Sequence, residues 1–384
     1  MDDPLAWLDG VAEGRERDGL TRRLAERGEA PPGRLVEQRR TLWNFASNDY
    51  LGLAGDPRVI EAAGQAARRY GWGSGASPLV TGWRGPHQRL VEALADFERV
   101  EAVALFPTGF AANLGTIASL IGKGDAAYLD RLDHACLVAG ARVSGASVRV
   151  YPHNDADRLG SILARERGRY RRALIATDGV FSMDGDVAPL AQFAEIAERH
   201  DAMLLVDEAH GTGVYGAGGR GASEEMGVAD RIPIRVGTLS KALGSLGGFV
   251  AGSRRLIDHV QNHAPSFLYS TALPPAACAA AAEALRIARA EPWRRERCRA
   301  WGRLLREGLA SIGHRAPPGD GPIVPIVVGD PGAALELSQR LLDRGFLVPA
   351  IRPPTVPSGT SRLRIVATAA HDEADIRALI GALA

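Results

Sequence analysis

The sequence predicts an α/β fold built around a mostly parallel sheet, and two patterns support this prediction. Short apolar runs recur from residue 42 onward, and the segments between them are long enough for a helix. They include AVALFP (102–107), ALIAT (173–177), AMLLVD (202–207) and GGFVAG (247–252). Apolar runs in this arrangement are typical of strands in βα units, whose sheet is buried on both faces. Glycine-rich turns such as GWGSGAS (71–77) separate the units.

The same patterns divide the chain into three segments. Residues 1–41 form an N-terminal helical segment in which apolar residues recur at helical spacing: Leu5, Leu8, Val11, Leu20 and Leu24. Residues 42–285 form the large α/β domain. Residues 286–384 form a small α+β domain with the order strand, helix, strand, strand, helix, preceded by a helical stretch from about 275 to 312. We expect the N-terminal helix to pack with this small domain.

Composition and charge exclude several classes of protein. Lys plus Arg number 46 against 45 Asp plus Glu, so the net charge of +1 gives no overall electrostatic attraction to nucleic acid or to an acidic membrane. The cysteines Cys136, Cys278 and Cys298 form no CxxC pair, which argues against a disulfide scaffold or a metal site. No run approaches the ~20 apolar residues of a membrane span. We expect a cytoplasmic protein.

The tetrad Asp207-Glu208-Ala209-His210 follows the apolar run MLLV directly. DEAH at a strand end is also the Walker B signature of one helicase class, so a nucleic-acid motor is the first alternative. That function requires a GxxxxGK[ST] phosphate loop. The chain has one Gly-Lys pair, Gly122-Lys123, which is followed by Gly124 and lacks the upstream glycine. The sequence therefore excludes the motor.

Lys241 suggests a different chemistry. Only two of the 46 basic residues are lysines, Lys123 and Lys241, so the chain offers few side-chain amines. Lys241 lies in TLSKALG (238–244), where Thr238 and Ser240 can donate to phosphate oxygens. Pyridoxal phosphate (PLP) requires an amine, an anion beside its ring nitrogen and donors for its phosphate. Asp207 can supply the anion, which raises the pKa of the pyridinium.

Five motifs together resemble the α-oxoamine synthases, a family of fold-type I PLP-dependent enzymes. In chain order they are SNDYLGL (47–53), PTGFAAN (107–113), DGVFSMDGD (178–186), VDEAHGTG (206–213) and TLSKALGSLGG (238–248). Members of the family condense an amino acid with an acyl thioester and release CO₂. The resemblance implies a PLP-dependent transferase with a seven-stranded, mostly parallel sheet flanked by helices. It also implies a homodimer in which loops such as 72–85 or Ser270-Thr271 reach the neighbouring subunit's site.

The resemblance implies roles for eight residues at the cofactor. Lys241 would carry PLP as a Schiff base and, once displaced by the substrate, remove the Cα proton. Asp207 would keep the pyridine nitrogen protonated, and His134 would stack on the pyridine face; these two and Lys241 are the implied catalytic residues. His210 would bond the cofactor's O3′. The remaining four would bind the phosphate or an oxygen of the cofactor: Gly109, Phe110, Ser182 and Thr238.

Five residues are implied at the substrates, one of which, His134, is also implied at the cofactor. Arg352 is expected to bind the amino acid's carboxylate, because a guanidinium holds a carboxylate through two parallel hydrogen bonds. His134 would also face the substrate. Residues near the acyl substrate would be Arg22, Asn48 and Thr355.

The segment AIRPPTVP (350–357) indicates which branch of the family the chain resembles. It is similar to members that condense L-alanine with a pimeloyl thioester, carried either by CoA or by a carrier protein. Two alternatives remain at this point: sister enzymes that use glycine or serine, and a regulatory protein with this fold and no turnover. Pro78 and Pro107 depart from the family pattern and could alter the preference for the thioester.

Overall fold

A computed structural model describes residues 3–384, and it divides into two compact units. The smaller unit comprises Met1–Asn48, Met183–Gly185 and Arg299–Ala384, and the larger unit comprises Asp49–Ser182 and Asp186–Cys298. The boundaries therefore differ from those expected at 41/42 and 285/286. Two strands, at 34–37 and 40–44, form a sheet with residues 346–347, and the second of them crosses the expected boundary at 41/42.

The described residues contain the following elements. The strands are β1 (Arg34–Glu37), β2 (Arg40–Asn44), β3 (Ala102–Phe106), β4 (Ala126–Asp130), β5 (Ser147–Tyr151), β6 (Ala173–Asp178), β7 (Met203–Asp207), β8 (Ile234–Thr238), β9 (Gly248–Gly252), β10 (Ile323–Gly329), β11 (Phe346–Leu347), β12 (Ala350–Ile351) and β13 (Ser361–Val366). The α-helices are α1 (Trp7–Arg17), α2 (Pro57–Tyr70), α3 (Gly85–Glu98), α4 (Gly109–Leu120), α5 (Ala135–Ser144), α6 (Ala156–Glu166), α7 (Leu190–Arg199), α8 (Ala222–Glu225), α9 (Arg254–His263), α10 (Pro265–Leu268), α11 (Pro275–Ala290), α12 (Trp293–Ser311), α13 (Pro331–Asp343) and α14 (Glu373–Leu383).

The larger unit is built on a seven-stranded sheet with the order β3-β9-β8-β7-β6-β4-β5. Neighbouring strands from β8 to β5 are parallel, whereas β9 runs antiparallel to both β3 and β8. Apolar side chains of α4, α5, α9 and α10 pack with the strands in one buried cluster, which includes Phe106, Ile117, Leu137, Val236 and Val260. The predicted mostly parallel, seven-stranded sheet is thus confirmed.

The smaller unit contains two three-stranded sheets, β1-β2-β11 and β10-β13-β12. Its core joins apolar residues of α12, α14 and the strands, among them Leu305, Val324, Phe346, Ile365 and Leu379. The expected strand FLVPAI forms two short strands, β11 and β12, on either side of Val348-Pro349. Pro349 has no N–H to continue a ladder, which accounts for the interruption.

Two helices differ from the prediction. The stretch from 275 to 312 is divided into α11 and α12, because Glu291 precedes Pro292 and a residue before proline avoids the helical conformation. The lead helix α1 ends at Arg17 and buries none of its residues. Gly19 has φ +64°, outside the right-handed helical region, so the helix does not reach Leu20 or Leu24. No helix among residues 3–384 is long and apolar enough to cross a membrane.

Candidate active site

The candidate site lies where the parallel strands of the larger unit end. Asp130, Asp178, Asp207 and Thr238 are the last residues of β4, β6, β7 and β8. Carboxyl ends of parallel strands share one edge of a sheet, and open α/β sheets bind ligands outside that edge. Asp178 and Asp207 are direct partners in the β6–β7 register. The sheet order therefore places the predicted residues Asp207 and Thr238 on adjacent strands.

Lys241 lies in a tight turn after β8. Its carbonyl accepts from the N–H of Gly244, whose φ of +57° suits glycine. A Cβ at Gly244 would meet the backbone of Ala54 at 2.3 Å, so any larger residue would displace the turn. The Lys241 Nζ lies 2.9 Å from His210 Nε2. Two predicted residues separated by 31 positions in the chain are thus in contact.

Asp207 is held by two donors. Its Oδ1 accepts from the Ala209 N–H at 2.8 Å, and its Oδ2 accepts from the Asn113 side-chain amide at 2.7 Å. Asp207 is 4% exposed and Asn113 is 1% exposed. Sequence reasoning did not single out Asn113. The signal was its position four residues after Gly109 on α4, which puts both residues on the same helix face.

Glu208, the second residue of the DEAH tetrad, has a structural role. Its buried carboxylate accepts from the N–H groups of Ala222 and Ser223, each at 2.8 Å, at the start of α8. Burial raises the pKa of Glu208. The tetrad therefore supports both the site, through Asp207 and His210, and the glycine-rich loop that follows it.

The N-terminus of α4 forms a cradle for an anion. Thr108 caps the helix by accepting from the Ala111 N–H at 3.0 Å. A Cβ at Gly248 would meet the Gly109 backbone at 2.6 Å, so the glycine lets α4 approach β9 closely. Thr238 lies beside Gly109, and its hydroxyl is 2.8 Å from that of Ser240. Free N–H groups, the helix dipole and these hydroxyls suit a phosphate.

His134 stands at the N-cap of α5, and its side chain is exposed. Its backbone N–H donates to Asp178 Oδ2 at 2.7 Å, and its Nδ1 accepts from the Cys136 N–H at 3.3 Å. Burial, together with repulsion from Asp207, raises the pKa of Asp178 well above that of an ordinary aspartate. Asp178 therefore retains a proton more readily than an exposed carboxyl does.

His153 fixes the base of the loop that carries Ser182. Its ring nitrogens lie 3.0 Å from Asp130 Oδ1 and 2.7 Å from Asp186 Oδ2, and its ring meets Phe181 edge-on. The Phe181 N–H donates to the Asp186 carbonyl at 2.9 Å, which closes the loop. Burial alone would lower the pKa of His153, but the hydrogen bonds to the two carboxylates outweigh it and raise the pKa to about 9.

This raised pKa predicts a loss of stability at alkaline pH. The fold favours the charged form of His153, whose pKa is about 9 in place of the ordinary histidine value of 6.5. Its contribution to stability is therefore complete below pH 6.5 and is lost as the pH rises through about 9. We expect a loss on the order of 2 kcal/mol in the free energy of unfolding across that range. Urea denaturation at several pH values should show this for the wild type and a flatter profile for His153→Gln. His314→Gln is the control, and an equal flattening there would contradict the prediction.

The predicted substrate residues lie in the smaller unit. The guanidinium of Arg352 donates to the backbone carbonyls of Gly19 and Thr21, and Arg22 donates to the Pro353 carbonyl at 3.1 Å. These contacts join the N-terminal segment to the 350–354 loop. Arg352 is thus engaged by the protein's own backbone.

Asn48 has a partner that the sequence analysis missed. Its Oδ1 accepts from the Arg364 guanidinium at 3.1 Å, and Arg364 is only 5% exposed on β13. Thr355 is exposed, and its N–H donates to the Arg352 carbonyl. The sequence Arg-Leu-Arg at residues 362–364 was a signal for Arg364, since arginine is seldom fully buried in a strand unless it has a partner.

No group of three or more His, Cys, Asp or Glu among residues 3–384 could hold a metal ion.

Comparison with known proteins decides the family. Residues 40–383 match the family model described as aminotransferase class I and II. The chain belongs to the aminotransferase class I and II family.

Similar proteins include 8-amino-7-oxononanoate synthases and a serine palmitoyltransferase. An 8-amino-7-oxononanoate synthase from Alkalilimnicola ehrlichii is 51% identical over 91% of this chain and 89% of its own. One from Anaeromyxobacter dehalogenans is 47% identical over 99% of this chain and 95% of its own. A serine palmitoyltransferase structure from S. paucimobilis, with a bound PLP-myriocin aldimine, has a TM-score of 0.94 and 33% identity, covering 99% of this chain and 97% of its own. The resemblance inferred from the five motifs is confirmed.

Proposed function

We propose that this protein is a PLP-dependent acyltransferase that condenses L-alanine with a pimeloyl thioester. The products would be 8-amino-7-oxononanoate, CO₂ and the free thiol, a step in biotin biosynthesis. The name shared by relatives that are 51% and 47% identical over most of their length supports this reaction. The observation that carries the proposal is the contact of Lys241 with His210 beside Asp207, at the carboxyl edge of the sheet.

The residues of the larger unit fit PLP. Lys241 supplies an amine, Asp207 an anion beside the ring nitrogen, and the N-terminus of α4 with Thr238 a phosphate cradle. The two donors to Asp207 keep its carboxylate oriented, and the contact that only glycine permits at Gly248 gives the cradle its shape. When bound, PLP supplies a carbon that reacts with amines and a ring that accepts an electron pair from the substrate.

The chain's own groups would then carry out the remaining tasks. Lys241 would take the proton from Cα and later return one, while Asp207 keeps the ring nitrogen protonated. His134 would cover the face of the ring and present a donor to the substrate. Holding two substrates in one orientation supplies much of the acceleration.

Two arginines are candidates for the alanine carboxylate. Arg352 remains a candidate from the resemblance, although its guanidinium donates to the backbone of the N-terminal segment. Arg364 is buried, and its guanidinium donates to the amide oxygen of Asn48. We favour Arg364 because its guanidinium is buried, and a buried charge attracts a carboxylate more strongly than one in water.

A homodimer in the cytoplasm is part of this proposal. Segments 72–85 and 269–273 lie against each other, since the Ala272 N–H donates to the Ala76 carbonyl at 3.0 Å. Several of their apolar side chains are exposed: Trp72 (76%), Leu79 (60%), Val80 (74%) and Tyr269 (85%). Such a patch is typical of a subunit interface.

The two prolines that depart from the family pattern lie in the larger unit. Pro78 begins a short π-helix in the segment 72–85, and Pro107 lies just before the capping residue Thr108.

A substrate panel tests the reaction. Thiol release should be measured with alanine, glycine and serine, each against pimeloyl-CoA, a pimeloyl carrier protein, succinyl-CoA and a long-chain acyl-CoA. We expect turnover with alanine and a pimeloyl thioester to exceed all other pairs by at least about tenfold, the discrimination that one or two methylene groups provide. Turnover restricted to glycine with succinyl-CoA, or to serine with the long-chain thioester, would replace the proposal with a sister activity.

A further inference from the structure

Tyr50, His210 and Lys241 form a hydrogen-bonded chain in the larger unit. The Tyr50 hydroxyl lies 2.5 Å from His210 Nδ1, and His210 Nε2 lies 2.9 Å from the Lys241 Nζ. Tyr50 is fully buried and His210 is 5% exposed. The two imidazole nitrogens therefore face a hydroxyl on one side and the reactive amine on the other.

The chemistry of these three groups couples their protons. A neutral imidazole carries its proton on one nitrogen and accepts on the other. A charged Lys241 can only donate, so it requires Nε2 to accept and Nδ1–H to donate to the Tyr50 oxygen. An uncharged Lys241 can accept from Nε2–H, and Nδ1 then accepts from the Tyr50 hydroxyl. A hydroxyl serves both arrangements because it can donate or accept.

We propose that Tyr50 is a positioning residue that lets His210 change tautomer as Lys241 gains or loses its proton. This inference rests on the proposed function, in which Lys241 must be uncharged to react and must later return a proton. A partner that could only accept, such as a carboxylate, would fix the proton on Nδ1. Phenylalanine would leave Nδ1 without a partner on this side.

Other titratable groups share this part of the larger unit with Lys241. Those that interact electrostatically with it are His134 and Cys136 on or beside α5 and Asp178 at the end of β6. Asp207 interacts with all three of these groups. The His134 N–H bonds to Asp178 and the Cys136 thiol faces Asp207, whereas the Tyr50 hydroxyl bonds to His210, so we expect Tyr50→Phe to leave the positions of these groups intact.

The test compares Tyr50→Phe with Tyr128→Phe in the full-length chain. Tyr128 is also fully buried, but its hydroxyl has no hydrogen-bond partner in the described structure, so it controls for loss of a buried oxygen. After removal of endogenous cofactor, PLP is added as a probe at a series of pH values. The rate at which the absorbance of the Schiff base increases then reports the uncharged fraction of Lys241. Reduction with borohydride followed by peptide mapping identifies the labelled lysine.

The midpoint is the pH at which the rate of Schiff-base formation reaches half its maximum. We expect this midpoint to be lower in Tyr50→Phe than in the wild type. Without the hydroxyl, a proton on Nδ1 would be a buried N–H facing no acceptor there, so the proton stays on Nε2, which cannot accept from an ammonium. The uncharged amine is then favoured, and we expect the midpoint to fall by about one pH unit. Tyr128→Phe should keep the wild-type midpoint. Adding Tyr50→Phe to His210→Asn should cause no further shift, because the effect passes through the imidazole.

A second measurement does not depend on the variant folding. In the wild type, ¹⁵N shifts of His210 should change from one tautomer to the other over the pH range in which Lys241 becomes reactive. A His210 tautomer that stays constant over this pH range would overturn the inference. An equal change of the pH midpoint of Schiff-base formation in Tyr50→Phe and Tyr128→Phe would also overturn it. A wild-type label found on a residue other than Lys241 would instead overturn the proposed function.

Discussion

A Lys241→Ala variant is expected to lose turnover of alanine by at least about 10⁴-fold, because both the covalent and the proton-transfer steps need this amine. Arginine at this position should not restore activity, since a guanidinium stays protonated. The measurement is thiol release, together with borohydride labelling and peptide mapping of the protein incubated with PLP.

The composition of the chain provides a matched control for this experiment. The only other lysine, Lys123, is exposed between Gly122 and Gly124, so Lys123→Ala removes an amine of the same type away from the site. That variant should keep wild-type turnover and wild-type labelling. Recovery of the label on Lys123, or persistent turnover in Lys241→Ala, would show that the assignment of the reactive amine is wrong.

An Asp207→Asn variant should show the second large effect. The replacement keeps the shape of the side chain but removes the charge that holds the ring nitrogen protonated, so the ring becomes a weaker electron acceptor. It also places an amide opposite the Asn113 amide, which now donates at 2.7 Å. We expect kcat to fall by roughly 10³-fold, the loss of about 4 kcal/mol of transition-state stabilisation.

Asp178→Asn is the control for Asp207→Asn. Asp178 is the register partner of Asp207 on the adjacent strand and accepts from the His134 N–H, which an asparagine oxygen can also do. Because burial and repulsion favour the protonated, uncharged form of Asp178, replacing it by neutral asparagine should change kcat by less than about tenfold. Equal losses in the two variants would mean that strand-end geometry, and not the charge of Asp207, is what the reaction requires.

Much of the site could be predicted because its chemistry is local in the sequence. Asp207 and His210 follow an apolar run directly, so the strand and its polar end are visible together. Lys241 and Thr238 occupy one turn whose glycine marks a left-handed backbone position. Each of these residues has its motif within a few positions, and the pattern of residue types was enough to predict a role for it.

The direction and order of the strands were harder to predict from the sequence. The run GGFVAG was recognised as a strand, but β9 is antiparallel to both of its neighbours. An apolar run buried on both faces has no pattern that distinguishes the two directions. Similarly, Trp43 and Asn44 were assigned to the large domain, because their pairing with β11 joins residues about 300 positions apart in the chain.

The sequence by itself determined the α/β class and the family, and it predicted roles for Lys241 and Asp207, because these depend on periodicity and on residue types at fixed short spacings. The tertiary structure decided which side chains support them. Asn113 reaches Asp207 across 94 positions, and Tyr50 reaches His210 across 160. It also shows that Arg364 bonds to Asn48 and that Arg352 bonds to the Gly19 carbonyl. Such partners are set by how distant elements pack, and no local pattern of residues records that packing.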